Sequence, residues 1–267
     1  MSSEVTTWYG DLYDEGTRLT DGSLEFVRSK EIIARYLGDD PLMIADVGGA
    51  TGQYSFWLAA MGHHAHLVDL TPRHVEQAIA RQEQTGVELS DAVCADARRL
   101  PFDDATFDLV LQMGPLYHLQ QLDDRLSVLR EAHRVLKPGC PVIGAVISRY
   151  ASMMDGFKLS LVKDEYFAQI MQHDLATGCH DNPRHVPQYF TTAYFHRPDD
   201  IRDELEQAGF RDVQLIAVEG FATLLDGDAI LTDETMSPAL LDCLRQTETA
   251  PDLMGVSAHI MAVGWRP

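Results

Sequence analysis

Residues 44–70 read IADVGGATGQYSFWLAAMGHHAHLVDL. An apolar run ends in an acid, Asp46, and the glycines Gly48, Gly49 and Gly52 follow at once. A helix-compatible stretch covers residues 53–61, and a second apolar run ends in another acid, Asp69. This is a strand, a glycine turn, a helix and a strand, the unit with which many chains hold a nucleoside. Glycine lets ligand atoms approach the backbone where a Cβ would collide. The helix behind it offers unpaired N–H groups and a partial positive charge. The dinucleotide fingerprint GxGxxG, begun at Gly48, needs glycines where this chain has Ala50 and Gln53. What stands there instead is D-x-G-x-A-x-G, from Asp46 through Gly48 to Gly52.

On either side of this unit the alternation continues. Residues 23–37 carry apolar side chains at helical spacing, with Ser23 as N-cap and Gly38 at the end. Thr71 and Pro72 begin a helix over 72–84. "VELSDAVC" and "FDLVLQM" are the third and fourth strands, "DDRLSVLREAHRVL" a helix closed by "KPG", and "CPVIGAVI" a fifth strand. Strands alternating with helices predict a mostly parallel sheet covered on both faces. After residue 149 the alternation stops. Residues 150–197, rich in Met, His, Tyr and Phe with short helical patterns, read as an insertion. "PDDIRDELEQAGF" is a helix, "VQLIAVE" a strand, residues 221–256 a polar irregular insertion, and "SAHIMAVGWRP" a last strand. The two late strands predict an antiparallel edge pair.

Composition narrows the partners. With 21 Lys and Arg against 41 Asp and Glu, the formal charge is −20, a field that repels phosphate backbones and argues against nucleic-acid substrates. A neutral or cationic small molecule is compatible with it. Cys94, Cys140, Cys179 and Cys243 are scattered without a CxxC pair, as in a reduced, cytoplasmic protein. The N-terminal residues have no signal-peptide pattern and no stretch approaches a membrane span, so no membrane partner is expected. The sequence is silent on oligomeric state.

The motifs together resemble those of class I S-adenosylmethionine-dependent methyltransferases, whose first motif is an acid followed by GxGxG, with Ala50 here for the middle glycine. The subgroup is the small-molecule, ubiquinone-biosynthesis-like (type 11) one. Residues 40–150 match in register, and "RPDDIRDELEQAGF" extends the match weakly. The resemblance implies an α/β fold: a Rossmann-like seven-stranded, mostly parallel sheet with an antiparallel edge strand, helices on both faces and cap insertions. It implies one domain over 1–267, with residues 1–38 as an N-terminal helical lid and the insertions 150–197 and 221–256 near the substrate pocket. S-Adenosylmethionine is the implied cofactor. Asp46, Gly48, Gly49 and Gly52 would form its turn, Asp69 would grip both ribose hydroxyls with Leu70 beside it, and Asp96 and Ala97 would meet the adenine. "LQMGPLYHL", with Gln112 and Met113, would line the methyl-donor channel, and Tyr13 would reach the methionine end. The implied reaction is methyl transfer to an O, N or C atom of a small molecule.

The physics fits this reading, since the cofactor has no phosphate and its sulfonium is a cation. A carboxylate such as Asp69 can accept from two hydroxyls. It would serve NAD equally, so the alternatives are an NAD-dependent oxidoreductase or a cofactor-binding protein without methyl transfer. The failed GxGxxG and "DARRLPF" favour methyl transfer. Tyr117 and His118, just past a strand's C-terminal end, are the catalytic candidates, His118 as a general base or as a brace for its loop. Arg28 is a weaker candidate for the cofactor carboxylate. Trp8, Tyr9 and Tyr13 have packing roles equally open to them, beside the covering of the cofactor that the resemblance implies. The aromatic tract 189–196, "YFTTAYFH", is expected to wall the acceptor pocket. His63, His64 and His66 read as a solvated strand edge, and Cys179, His180 and His185 as a polar loop, so no metal site is expected. Met153, Met154 and Met171 read as packing.

Overall fold

A computed structural model describes residues 23–267. The Ser23 hydroxyl accepts from the Phe26 N–H at 3.3 Å and opens α1 (Leu24–Ala34). The alternating part follows as β1 (Met43–Val47), α2 (Gln53–Ala60), β2 (His64–Asp69), α3 (Pro72–Thr85), β3 (Asp91–Cys94), β4 (Leu109–Gln112), α4 (Pro115–His118), α5 (Leu122–Val135) and β5 (Pro141–Ile147). The third strand is shorter than its apolar stretch suggests, because the Leu89 N–H is taken by the Gln82 side chain at 2.7 Å. Beyond it come α6 (Ala151–Lys158), α7 (Glu165–Thr177), a hairpin of β6 (Cys179–His180) and β7 (Ala193–Tyr194), and α8 (Pro198–Gln207). The chain closes with β8 (Arg211–Ala217), α9 (Gly227–Thr232), α10 (Ser237–Thr247), α11 (Pro251–Met254) and β9 (His259–Trp265).

The sheet has seven strands in the order β3-β2-β1-β4-β5-β9-β8. All neighbours from β3 to β5 are parallel, while β9 runs antiparallel to both β5 and β8. The expected antiparallel edge pair is β8 with β9, and β9 lies one strand in from the edge. Every residue of β4 is buried, as expected of a central parallel strand covered on both faces. One face packs Val47, Val110 and Val142 against Leu129 of α5 and Leu205 of α8. The other packs Ile44, Leu67 and Leu111 against Ile32 of α1 and Leu58 of α2.

Residues 221–256 are helical where the sequence suggested an irregular tract. The Asp226 carboxylate caps α9, accepting from the Ala229 N–H at 3.2 Å, and α10 buries Leu240 and Leu244 against Leu24 and Ala222. Only a narrow stripe of α10 is apolar, too little for a clear periodic signal. A buried Arg125–Glu204 pair ties α5 to α8: both carboxylate oxygens accept from the guanidinium at 2.7–3.0 Å, and the Leu119 and Gln120 carbonyls take its remaining donors. Such a pair is expensive to break from one side.

Candidate functional site

The C-terminal edge of the parallel strands carries the glycine turn. Gly48 has φ +74° and Gly52 φ +84°, conformations glycine adopts without strain. A Cβ at Gly48 would lie 2.5 Å from the Pro115 ring, and one at Gly49 would lie 2.4 Å from Leu67 and 2.6 Å from the Asp46 carboxylate. Asp46 sits beneath this turn, fully buried, with Ser55 Oγ donating to it at 2.6 Å. Burial pushes its carboxyl up to about 6, against the Ser55 hydrogen bond that favours the ionised form. The acid of the motif thus faces the turn from inside the core.

Asp69 ends β2 beside the turn. One carboxylate oxygen accepts from the Ala50 N–H at 2.9 Å; the other accepts from the Thr71 N–H at 2.8 Å and lies 3.1 Å from His74 Nδ1. These three neighbours use three of its roughly four acceptor positions, so a grip on two hydroxyls requires one of them to give way. His74, in the first turn of α3, gave no signal in the sequence as a partner of this acid. Asp96, further along the same edge, accepts from Arg98, which also reaches Asp124 at 2.8 Å. The Arg98 hydrogen bond holds the Asp96 carboxyl below its ordinary range against partial burial. Leu70 and Ala97 lie on the same edge, each partly buried.

The segment after β4 closes the other side. Gln112 is fully buried, and neither its amide oxygen nor its nitrogen has a hydrogen-bond partner among the described residues. Tyr117 Oη donates to the Met113 carbonyl at 2.9 Å. Met113 and Tyr117 line a narrow cleft with Glu25, Tyr54, Ala145 and His259. His118 is turned elsewhere: it borders a separate cavity with Arg98, Gln120, Asp124 and Thr192, and its ring stacks on Phe190 with centroids 5.9 Å apart. The structure therefore brings Gly48, Gly49, Gly52, Asp69, Asp96, Met113 and Tyr117 to one edge and separates His118 from the cleft. Tyr13, Trp8 and Tyr9 lie outside the described residues.

A cavity of about 300 Å³ is walled by Phe167, Tyr189, Phe190 and Phe195 with Leu159 and Leu161. Phe190 holds φ +65° and ψ 179°, a region ordinarily left to glycine, and its carbonyl accepts from Asn182 Nδ2 at 2.8 Å. Of the aromatic tract, Tyr194 faces away: the Arg125 guanidinium lies 3.8 Å over its ring. His259 borders both the cleft and the cavity. Its Nδ1 lies 2.5 Å from Glu219 Oε1, and Glu25, Glu219 and His259 bring their donor atoms within 4.8 Å of one another. The sequence did not single out these three, which are far apart in the chain.

Other expectations resolve differently. Arg28 is fully buried and paired with Glu31 and Glu248, so it does not reach the turn. Of the three histidines near β2, His64 is exposed, His63 Nδ1 accepts from the Leu42 N–H, and His66 packs edge-on against Phe102 and Phe107; the expected solvated edge holds for His64 alone. His180 is buried, with Nδ1 2.8 Å from Asp174 and Nε2 2.6 Å from the Tyr189 carbonyl, so it ties α7 to the segment around Tyr189 and does not lie in a polar loop. Met154 and Met171 are buried as packing residues.

Residues 45–143 match the family model described as a methyltransferase domain. That match makes residues 45–143 a methyltransferase domain, of the S-adenosylmethionine-dependent class that the motifs resemble. The cofactor of this methyltransferase domain is S-adenosylmethionine. A ubiquinone/menaquinone biosynthesis C-methyltransferase, UbiE, of Ruegeria sp. (strain TM1040) is 39% identical over 100 residues, 36% of this chain and 38% of that protein. A sarcosine/dimethylglycine N-methyltransferase of Halorhodospira halochloris is 32% identical over 128 residues, 47% of this chain and 44% of its own length. The matches thus span less than half of these two relatives. A solved S-adenosylmethionine-dependent methyltransferase of Methanosarcina mazei shares the fold with a TM-score of 0.59 at 16% identity, covering 88% of this chain and 96% of that one. The site suits the cofactor on its own terms. Gly48 and Gly49 pack against Pro115, Leu67 and Asp46 too closely for any side chain, which keeps the turn tight, and the buried Gln112 amide has no partner among the described residues. No helix among the described residues is long and apolar enough to cross a membrane.

Proposed function

We propose that this chain transfers the methyl group of S-adenosylmethionine to an N, O or C atom of a small molecule with an apolar body. The observation that supports the reading is that His259 borders both the cleft lined by Met113 and Tyr117, which follow the central strand β4, and the aromatic cavity. When bound, the cofactor supplies an electrophilic sulfonium methyl. The Gly48–Gly52 turn would take its backbone contacts, Asp69 its ribose, Asp96 its adenine edge, and Met113 and Tyr117 the methyl end. The aromatic walls would seat the acceptor in line with that methyl. Residues 150–197 and 221–256 would act as the cap over it. Holding two reactants aligned supplies much of such a rate, and the neutral thioether leaves without an acid. The names of the two relatives divide between carbon and nitrogen acceptors, which supports the reaction class and leaves the atom to the site's own chemistry.

The test begins with S-adenosylhomocysteine binding by calorimetry. Asp69→Ala should weaken it by about 1.5–3 kcal/mol, because hydrogen bonds to a charged acceptor are lost. Unchanged affinity in a folded variant removes the ribose assignment, and tight binding of NAD instead of S-adenosylhomocysteine overturns the proposal.

A further inference from the structure

We infer that Asp155 selects the acceptor, holding a protonated amine against the aromatic walls of the cavity. This rests on the methyl-transfer reading and adds the acceptor's chemical class. Ala151, Ser152 and Asp155 of α6, with Leu159 just after it, line the cavity from one face of the helix. Beside that face Gly156 brings α7 close, since a Cβ there would lie 2.8 Å from the ring of Phe167, one of the walls. Tyr189 is held at both ends: its hydroxyl donates to Asp164 at 2.6 Å, and its carbonyl lies 2.6 Å from His180 Nε2. Phe195 stacks on the His180 ring with centroids 4.9 Å apart. The walls are therefore held in place by the protein's own contacts.

Of the ionisable groups along these walls, His180 is taken by Asp174 and the Tyr189 carbonyl, and His259 faces Glu219 at 2.5 Å. Ser152 Oγ donates to Asp174. Asp155 accepts no hydrogen bond and makes no ion pair among the described residues; Lys158, one turn along α6, donates to the Thr223 and Leu225 carbonyls instead. No Lys or Arg lines the cavity among the described residues. The protein packed around Asp155 strips water from it and pushes its carboxyl above the ordinary range, while the charges of Lys158 and His259 pull the other way. A carboxylate short of donors in an apolar hollow discriminates by charge. It repels an anion and takes an ordinary hydrogen bond from a neutral hydroxyl. From an ammonium it takes a charge-assisted bond, roughly twice as strong, while the aryl or alkyl body meets ring faces that favour a cation. Asp155 supplies recognition alone. One ammonium proton passes to solvent water, and the freed lone pair forms the N–CH3 bond as the S–CH3 bond breaks with its electron pair left on sulfur.

The experiment measures, by calorimetry at neutral pH, binding of 2-phenylethylamine, its neutral isostere 2-phenylethanol and the anion phenylacetate, to the protein alone and saturated with S-adenosylhomocysteine. The wild-type protein should bind the amine about tenfold or more tightly than the alcohol, and the alcohol more tightly than the anion. Asp155→Asn keeps the side chain's shape and removes its charge; it should bring the amine within about twofold of the alcohol and leave the alcohol's affinity unchanged. Asp226→Asn, which changes a carboxylate of the neighbouring cavity, should keep the preference. With S-adenosylmethionine, mass spectrometry should find an N-methylated product from a panel of aryl- and alkylamines. Equal wild-type binding of amine and alcohol, a preference that survives Asp155→Asn, an equal loss in Asp226→Asn, or absence of any methylated amine each overturns the proposal. The wild-type comparison decides even where Asp155→Asn fails to fold. Failure of the wild-type protein to bind S-adenosylhomocysteine, with the amine preference intact, counts against the methyl-transfer reading and not against Asp155.

Discussion

Ala50 holds φ +48°, the left-handed conformation, where the family's motif has its middle glycine. A non-glycine residue there costs on the order of 1–2 kcal/mol, while glycine costs about 0.5–1 kcal/mol in the unfolded chain. Ala50→Gly should therefore be neutral or stabilising by up to ~1 kcal/mol in thermal unfolding, whereas Ala50→Val should lose about 2 kcal/mol, since a branched side chain tolerates that φ least. Four residues back, Asp46 makes stability depend on pH. Its folded carboxyl, near 6, binds protons that the unfolded chain has already released. Its contribution is thus full below about pH 4 and lost as pH rises through about 6, a term of at most roughly 3 kcal/mol. Denaturant unfolding of Asp46→Asn should lack that decline relative to wild type between pH 4 and 7; parallel curves would refute the assignment. The turn was legible because glycine chemistry is local. Glu219 and His259 were not, because forty residues separate them and only strand pairing brings them together.

At the scale of elements, the hairpin strand β7 shows what a two-residue period does to an aromatic tract. Phe195 turns into the cavity and its neighbour Tyr194 turns out over Arg125, although the tract reads as uniformly aromatic. Tyr194→Ala should lower stability by about 1–3 kcal/mol by uncovering the buried Arg125–Glu204 pair, leaving the acceptor KM unchanged. Phe190→Ala, at the cavity wall, should raise that KM with kcat less affected. Steady-state kinetics with a methylated amine as product separates the two, and a KM increase on losing Tyr194 would put it back at the wall. Strands of the parallel sheet were readable because burial on both faces makes them continuously apolar. The helices between residues 221 and 256 were not, because Leu240 and Leu244 are a thin apolar stripe among polar residues.

Over the whole molecule, the charge of −20 sets which partners approach. Neither duplex DNA nor tRNA should be retained in a gel shift at micromolar protein and about 0.15 M salt, and retention would reveal a local basic surface that overrides the net field. The sheet has a different global property. β9, drawn from residues 259–265, pairs on both sides with strands that precede it, β5 and β8. During synthesis those two strands wait for a partner that leaves the ribosome after both, and closing contacts over such sequence separations is slow. Until residue 265 has emerged, β5 and β8 each present an unpaired edge, and His259 has not yet met Glu219. A nascent chain stalled before that point is a template for chaperones or for aggregation.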